Sequence, residues 1–451
     1  MFELPESDFR VAVDRLRDLI RFDTTNPPGN EREAAEFLAG ILREAGFSPE
    51  LVGRHESRPN LVARLDAKPE NRRNRPLILS CHLDVVPADR ERWTHPPFDA
   101  VEADGCVWGR GAIDMKGFAV MALTVFLLLK EKKIELDRDV IFVAVADEEA
   151  GTNLGSRWLV ENRPDLLGGD PEYVINEVGG FTLHQHGKRF YPVQVAEKGI
   201  AWLRMTATGR PGHSSLPQPE NAIAKLGEAA AKLNRASLPW HVSEPARYFL
   251  TEMARGRGPV AAWVCRNLLL NRRLGPLLLP LLVPRERRAT FEALVRNTAT
   301  PTIFASGTKI NMSPPNATLE LDGRLVPGQT ADDLVREIRA VAGSGFEIEI
   351  LSDFPATVFD SDTPLFQKIE AGLNARDPDG SVIPSMIPGF TDSSNYARLG
   401  ATCYGFYPLK LPPDLDFAAL FHGDDERIPL DGLKWGIETL YDVLVGALEA
   451  K

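Results

Sequence analysis

Three stretches of this chain are apolar without alternation, and each one stops at histidine or carboxylate. Residues 77–80 (LILS), 140–146 (VIFVAVA) and 173–176 (YVIN) carry the continuous oiliness of strands buried on both faces. The first runs into His82 and Asp84, the second into Asp147, Glu148 and Glu149, and the third into Glu177. Around them, apolar residues recur every three to four positions over 8–20 and 31–45, which predicts helices. Further helices are expected from Phe118 to about 129 and around 155–161, and a short strand over 60–65. Strands alternating with helices predict an α/β fold: a mostly parallel sheet flanked by helices, with the strand ends on one edge.

The texture changes near Gly199. Residues 200–208, 317–325 and 346–351 alternate apolar with polar, as strands with one solvated face do, and 221–234 and 331–341 are helical. This predicts an inserted α+β domain over 199–354, between a catalytic domain whose first part is 1–198 and whose second part is 355–451. From about 364 the tail returns to helix–strand alternation. One segment of the insert, around 240–300, is long and oily. Its core, 259–284, is interrupted by Arg266, Asn267, Asn271, Arg272, Arg273, Gly275 and prolines, so no run reaches the ~18 apolar residues of a spanning helix.

Composition narrows the picture little. Hydrophobic residues make up 43% and charged ones 25% of 451, an ordinary globular balance, and the net charge of −11 argues against nucleic acid as a partner. Cys81, Cys106, Cys265 and Cys403 have no CxxC spacing and read as reduced thiols. The acidic start, MFELPESDFR, lacks the basic and apolar regions of a signal peptide, so a soluble cytoplasmic protein is the expectation.

The strand ends carry the candidate chemistry. His82 and Asp84 are two apart and leave one strand on the same side, suiting a metal ligand with a carboxylate partner. With Asp114, Glu149, Glu177 and the late His422 they supply two imidazoles and several carboxylates, the donors for a pair of divalent ions. Glu148 and Glu149 are neighbours and diverge, so one can ligate while the other faces substrate as a general base. No HExxH occurs, and the glycine-rich turn at 109–117 matches neither GxGxxG nor GxxxxGK[ST], which sets a zincin helix and a phosphate loop aside.

SCHLDVVP at 80–87, GRGAIDMKG at 109–117, DEE at 147–149, NEVGG at 176–180, PGHSS at 211–215 and FHGDDE at 421–426 run in one order over nearly the whole chain. Together they resemble the dinuclear zinc metallohydrolases that include acetylornithine deacetylase, succinyl-diaminopimelate desuccinylase, glutamate carboxypeptidase and aminoacylase. The resemblance implies two Zn²⁺ ions, or Co²⁺ or Mn²⁺, with His82 and Glu177 on one, His422 and Glu149 on the other, and Asp114 bridging through a strained Asp114–Met115 peptide. Asp84 would clamp the His82 imidazole, and Glu148 would be the base for the attacking water.

The inserted domain would be a lid that also forms a homodimer, His213 would stabilise an oxyanion at a neighbouring site, and Asn311 and Arg324 would contact the substrate, the latter through its carboxylate. Gly389, Phe390 and Thr391, in PGFTDS at 388–393, resemble the substrate loop, with Phe390 where a small residue is usual. The resemblance therefore implies hydrolysis of an amide beside a free carboxylate, in an N-acyl amino acid or a peptide. A dipeptidase, an acetylornithine- or succinyl-diaminopimelate-type deacylase and, remotely, a non-catalytic metal-binding scaffold are the alternatives. The oily segment resembles the extended forms that hydrolyse N-acyl amino acids; it is expected to line an acyl pocket, to touch a membrane surface, or to serve as extra lid core or interface.

Overall fold

The computed structural model describes residues 1–216, 219–415 and 417–450. The chain folds as two compact units, one formed by Met1–Val195, Phe359–Pro384 and Thr391–Lys451, the other by Ala196–Val358 and Ser385–Phe390. The texture of the sequence set the corresponding boundaries at 198 and 354, and gave no sign that the 385–390 segment belongs with the insert.

In the first unit the strands lie in the order Glu50–Val52, Asn60–Leu65, Val140–Val145, Leu77–His82, Tyr173–Asn176, Thr402–Gly405 and Lys188–Glu197. Leu77–His82 is parallel to both its neighbours, and Thr402–Gly405 is parallel to Tyr173–Asn176; Asn60–Leu65 is antiparallel, so the sheet is mixed around a parallel centre. Period-2 alternation divides the buried residues between two cores. Leu77, Leu79, Phe142 and Ala144 face one side with the helices Glu6–Arg21, Lys116–Glu131 and Leu430–Leu448. Ile78, Ile141, Val143 and Val145 face the other with Leu159 of Ser156–Asn162 and Tyr396 of Ser393–Ala397. Thirteen of the sixteen residues of Lys116–Glu131 are buried, which explains why that segment reads as oily on every side.

The second unit is built on a four-stranded antiparallel sheet in the order Thr298–Ser306, Asn316–Leu325, Gly199–Thr208, Glu347–Phe354. Ala201, Leu203, Met205, Leu319 and Leu321 pack against Leu226 of helix Ala222–Arg235 and Leu334 and Ile338 of helix Ala331–Ala342, while Trp202 and Arg204 alternate to the other face.

The oily segment becomes a cluster of short helices: Glu244–Arg255, Pro259–Val264 running into a π-helical turn at Cys265–Leu269, then Gly275–Leu282 and Arg285–Val295. They enclose a core of their own around Trp240, Leu269, Leu270, Leu279, Phe291 and Leu294. Gly275 is required there, because a Cβ would fall 2.2 Å from the Trp240 ring. The extra-core reading thus describes the inner side of this segment. Among the described residues no helix is long and apolar enough to cross a membrane.

Candidate metal centre

The strand ends bring their polar residues to one place. His82 closes Leu77–His82, and its Nε2 lies 3.1 Å from Asp114 Oδ1 and 3.7 Å from Glu177 Oε2. His422 Nε2 lies 3.0 Å from Asp114 Oδ2 and 3.2 Å from Glu149 Oε2. Asp114 is therefore common to two half-sites, one with His82 and Glu177, the other with His422 and Glu149. Glu148 shares the first half-site, its carboxylate grouped with His82 and Glu177. His82, Asp114 and Glu177 are buried, whereas the His422 side chain is 44% exposed, so the cluster opens at that end.

His82, Glu149 and Asp114 are held from behind. The His82 Nδ1 meets the main-chain oxygen of Asp84 at 2.9 Å; the Asp84 carboxylate stands further off, at 3.6 Å. That carboxylate instead accepts from the Glu148 and Glu149 amides, both at 3.1 Å, and from Asn26 Nδ2 at 2.8 Å. Asp84 thus clamps the imidazole through its backbone, and its side chain sets the direction of the Glu148–Glu149 pair.

The Asp114 loop is fixed by Glu426, fully buried, which accepts from Gly111 N at 3.0 Å, Ile113 N at 2.7 Å and Asp114 N at 2.9 Å and pairs with Arg110 at 2.7 Å. The Asp114–Met115 peptide is cis. Val178, directly after Glu177, has φ 61°, a conformation that a β-branched residue rarely takes, and its neighbour Gly405 leaves no room for a Cβ, which would fall 2.3 Å from Glu177 O. His422 also sits in the left-handed region, at φ 58°.

Electrostatics set the carboxylates apart from the imidazoles. Burial opposes a charge on His422, yet Asp114 and Glu149 outweigh it and raise the imidazole to about 10. Asp114 is pulled below the usual carboxylate range because both histidines outweigh its burial. Burial lifts Glu177 to about 7 against the pull of His82, and lifts Glu148 well above its ordinary value, with the Glu177 charge adding to the effect.

The donor chemistry fits metal ions. Among the described residues Asp114 Oδ2 and Glu149 Oε1 are buried with no hydrogen bond of good geometry, even with His422 Nε2 3.0 Å from the first, although such groups ordinarily find partners. Oxygens left open between two imidazoles are what a pair of shared cations would fill, and two His with three carboxylates suit borderline divalent ions.

The remaining sequence candidates belong elsewhere. His213 ends the two-residue strand Gly212–His213, where it pairs with Met312, and is exposed, its Nδ1 2.8 Å from Ser215 Oγ, and Ser214 N donates to Asn311 O at 3.1 Å. Arg324 stands eight residues along the strand from Asn316, roughly 26 Å at the usual strand rise, and donates to Asp322 at 3.0 Å. His213 and Asn311 therefore occupy one end of the second unit and Arg324 the other. Phe390 packs edge-on against Phe354 at 5.4 Å, and Gly389 precedes it in the same unit. Thr391 falls in the first unit, where its hydroxyl accepts from Asn176 at 3.3 Å, one residue before Glu177. Glu426 is the residue that sequence reasoning left without a role; its only local signal is a carboxylate four positions after His422 in FHGDDE.

A parallel-centred α/β sheet with two imidazole–carboxylate half-sites sharing one aspartate at its strand ends defines a metal-dependent hydrolase. The profile of peptidase family M20/M25/M40 matches residues 78–445, and the chain belongs to that family. Among curated proteins it is similar to the human N-fatty-acyl-amino acid synthase/hydrolase, 29% identical over 386 residues covering 82% of this chain and 74% of the relative. It is also similar to mouse aminoacylase-1, 24% identical over 98% of this chain and 96% of that protein. Among solved structures, an M20 family metallo-carboxypeptidase from Sulfolobus solfataricus aligns over 98% of this chain and 99% of its own, with TM-score 0.71 at 18% identity. A dinuclear metal-binding M20 peptidase from Bacillus subtilis gives TM-score 0.61 at 14% identity, over 99% and 100% of the two chains.

Proposed function

We propose that this M20 metallohydrolase removes the acyl group from N-acyl amino acids, with long apolar acyl chains preferred, by attack of water on the amide carbonyl. The observation that carries the reaction type is Asp114, held between His82 with Glu177 and His422 with Glu149, with Glu148 beside the first of these. The similarity to an N-fatty-acyl-amino acid hydrolase over most of both chains supports the acyl class. C-terminal residue release from peptides, the reaction named for the Sulfolobus relative, is the second reading.

In this reading His82 and Glu177 would hold one divalent ion and His422 and Glu149 the other, with Asp114 within reach of both, and the donor set suits Zn²⁺. When bound, the ions supply Lewis acidity at the carbonyl and lower the pKa of water nearby. Glu148 takes the proton from the attacking water and returns it to the leaving nitrogen. Asp84 keeps Glu148 aimed through its hydrogen bond to the Glu148 amide. His213, at one end of the lid, acts on the substrate of a partner copy in a lid-mediated homodimer, and Asn311 and Arg324 contact the substrate, Arg324 through its carboxylate.

Turnover of the zinc-loaded protein on a matrix of acetyl, long-chain fatty acyl and aminoacyl groups, each on several amino acids, tests the substrate class. A maximum on fatty acyl rows is expected; one on aminoacyl rows makes the protein a peptidase. Glu148→Gln should lower kcat by about 10²- to 10⁴-fold while both metals stay bound. Loss of a metal along with turnover would make Glu148 a ligand instead of a base.

A further inference from the structure

The helical segment of the second unit turns part of its apolar surface outward. On Gly275–Leu282, Leu279 enters the Trp240 core, while Leu277 and Leu281 are 72% and 78% exposed, and Leu274 and Leu282 are exposed as well. Positions 274, 277 and 281 lie three and four apart, which makes one stripe along the helix. The preceding helix repeats the arrangement: Ala262 is buried, and Val260 and Trp263, three apart, project outward, Trp263 at 58% exposure. Ordinary surfaces carry single exposed apolar residues, but a stripe of leucines with an outward tryptophan on the preceding helix calls for a covering.

The charge around these residues says what kind. Between Glu252 and Glu286 the sequence holds six arginines and no acidic residue, in a chain of net charge −11. Arg266, Arg272, Arg273 and Arg285 all reach solvent. A second copy of this chain, docked by two-fold symmetry, would set these arginines against their own counterparts, which is unfavourable. An anionic bilayer has the opposite sign and an apolar interior. Short amphipathic helices with leucine and tryptophan on one face and arginine beside it lie in the plane of such an interface, and each basic residue near it adds attraction.

We propose that this face docks on an anionic phospholipid bilayer, with Leu277, Leu281 and Trp263 entering the acyl boundary and the arginines meeting headgroup phosphates. The inference stands apart from the substrate reading, and its test needs no turnover. The full-length protein is floated with phosphatidylcholine vesicles carrying about a third phosphatidylglycerol, and with pure phosphatidylcholine vesicles. Binding to the mixed vesicles, weak on the neutral ones, is expected.

Leu277→Ser/Leu281→Ser and, separately, Arg266→Gln/Arg273→Gln should each weaken vesicle binding by about tenfold or more, with circular dichroism and unfolding midpoint unchanged. Absence of binding to the anionic vesicles, or binding that neither variant weakens, overturns the proposal. So does a leucine variant that turns a lipid-free dimer into a monomer while the parent ignores vesicles, since the face would then be an interface between copies.

Discussion

The metal centre and the helical segment of the second unit violate the ordinary inside–outside rule in opposite directions. The centre buries charge: Asp84, Asp114, Glu177 and Glu426 are 5% exposed or less. The segment exposes oil, with Leu277 and Leu281 largely in solvent. Buried charge is tolerated because backbone amides and side chains behind the site answer it, as Glu426 shows with three amides and Arg110. Among the described residues the inward oxygens Asp114 Oδ2 and Glu149 Oε1 accept no hydrogen bond, with the His422 imidazole 3.0 Å from the first. In both regions the proposed ligands would meet groups that the fold leaves under-satisfied, but the centre is held by a framework of hydrogen bonds, whereas Leu277 and Leu281 project from the surface.

If that contrast is right, disturbing the framework should be costly. Glu426→Gln leaves Arg110 buried without its counter-charge and turns an amide N–H₂ toward backbone donors. A loss of about 3–5 kcal/mol in unfolding free energy is expected, checked by denaturant titration of the metal-free protein. Metal affinity, followed by calorimetry, should fall by roughly 10- to 100-fold because the Asp114 loop loses its anchor. A variant with parental stability and metal affinity would mean that Glu426 merely fills space.

Glu426 also shows where the sequence stops being legible. Its partners lie more than three hundred positions earlier, so nothing local announces them. His82, Glu149 and Glu177 were readable because each follows an oily run: Leu77–His82 and Val140–Val145 are buried at every position, and the motif follows within a few residues. Asp114 and His422 lie in turns and were readable only through the motifs around them. Two long strands escaped. Lys188–Glu197 contains Pro192, and Thr298–Ser306 contains Pro301, and proline within a run argues against a strand. The structure accommodates Pro301 on an edge strand at a register shift between Pro301 and Ile303, while Pro192 O accepts from Gly180 N. Both pairings depend on distant segments. The outward stripe was legible only as oiliness, because exposure is a property of packing and not of composition.

A second framework contact allows a test by pH, away from the centre. Asp377 accepts from Arg189 Nε at 2.7 Å and Tyr191 Oη at 2.7 Å, and is 3% exposed. The Arg189 guanidinium, and then the Tyr191 hydroxyl, outweigh burial and lower its pKa from 3.8 to about 2. A folded value below the unfolded one stabilises above the unfolded value, and that contribution disappears as pH falls through the folded value. The parent should therefore be more stable than Asp377→Asn by roughly 2 kcal/mol at pH 6, and the gap should close between about pH 4 and 2. Urea unfolding of both proteins along that range measures it. A gap independent of pH would assign the contact to packing alone.

The smallest expected effect falls on the other side of the comparison. Leu277 and Leu279 are two positions apart on one helix, yet the first is in solvent and the second packs in the Trp240 core. Leu279→Ala should cost about 2–5 kcal/mol through lost burial and the cavity left behind. Leu277→Ser should stay within about 0.5 kcal/mol of the parent, since a substitution on an unpacked surface removes no contact the fold depends on. Both follow from guanidinium unfolding of the full-length protein. Equal losses at the two positions would mean that Leu277 is packed in solution, and the outward stripe would lose its claim to be an unfilled surface. A near-neutral Leu277→Ser beside a costly Leu279→Ala assigns one helix two physical duties, its inner leucine to folding and its outer leucine to whatever the protein meets.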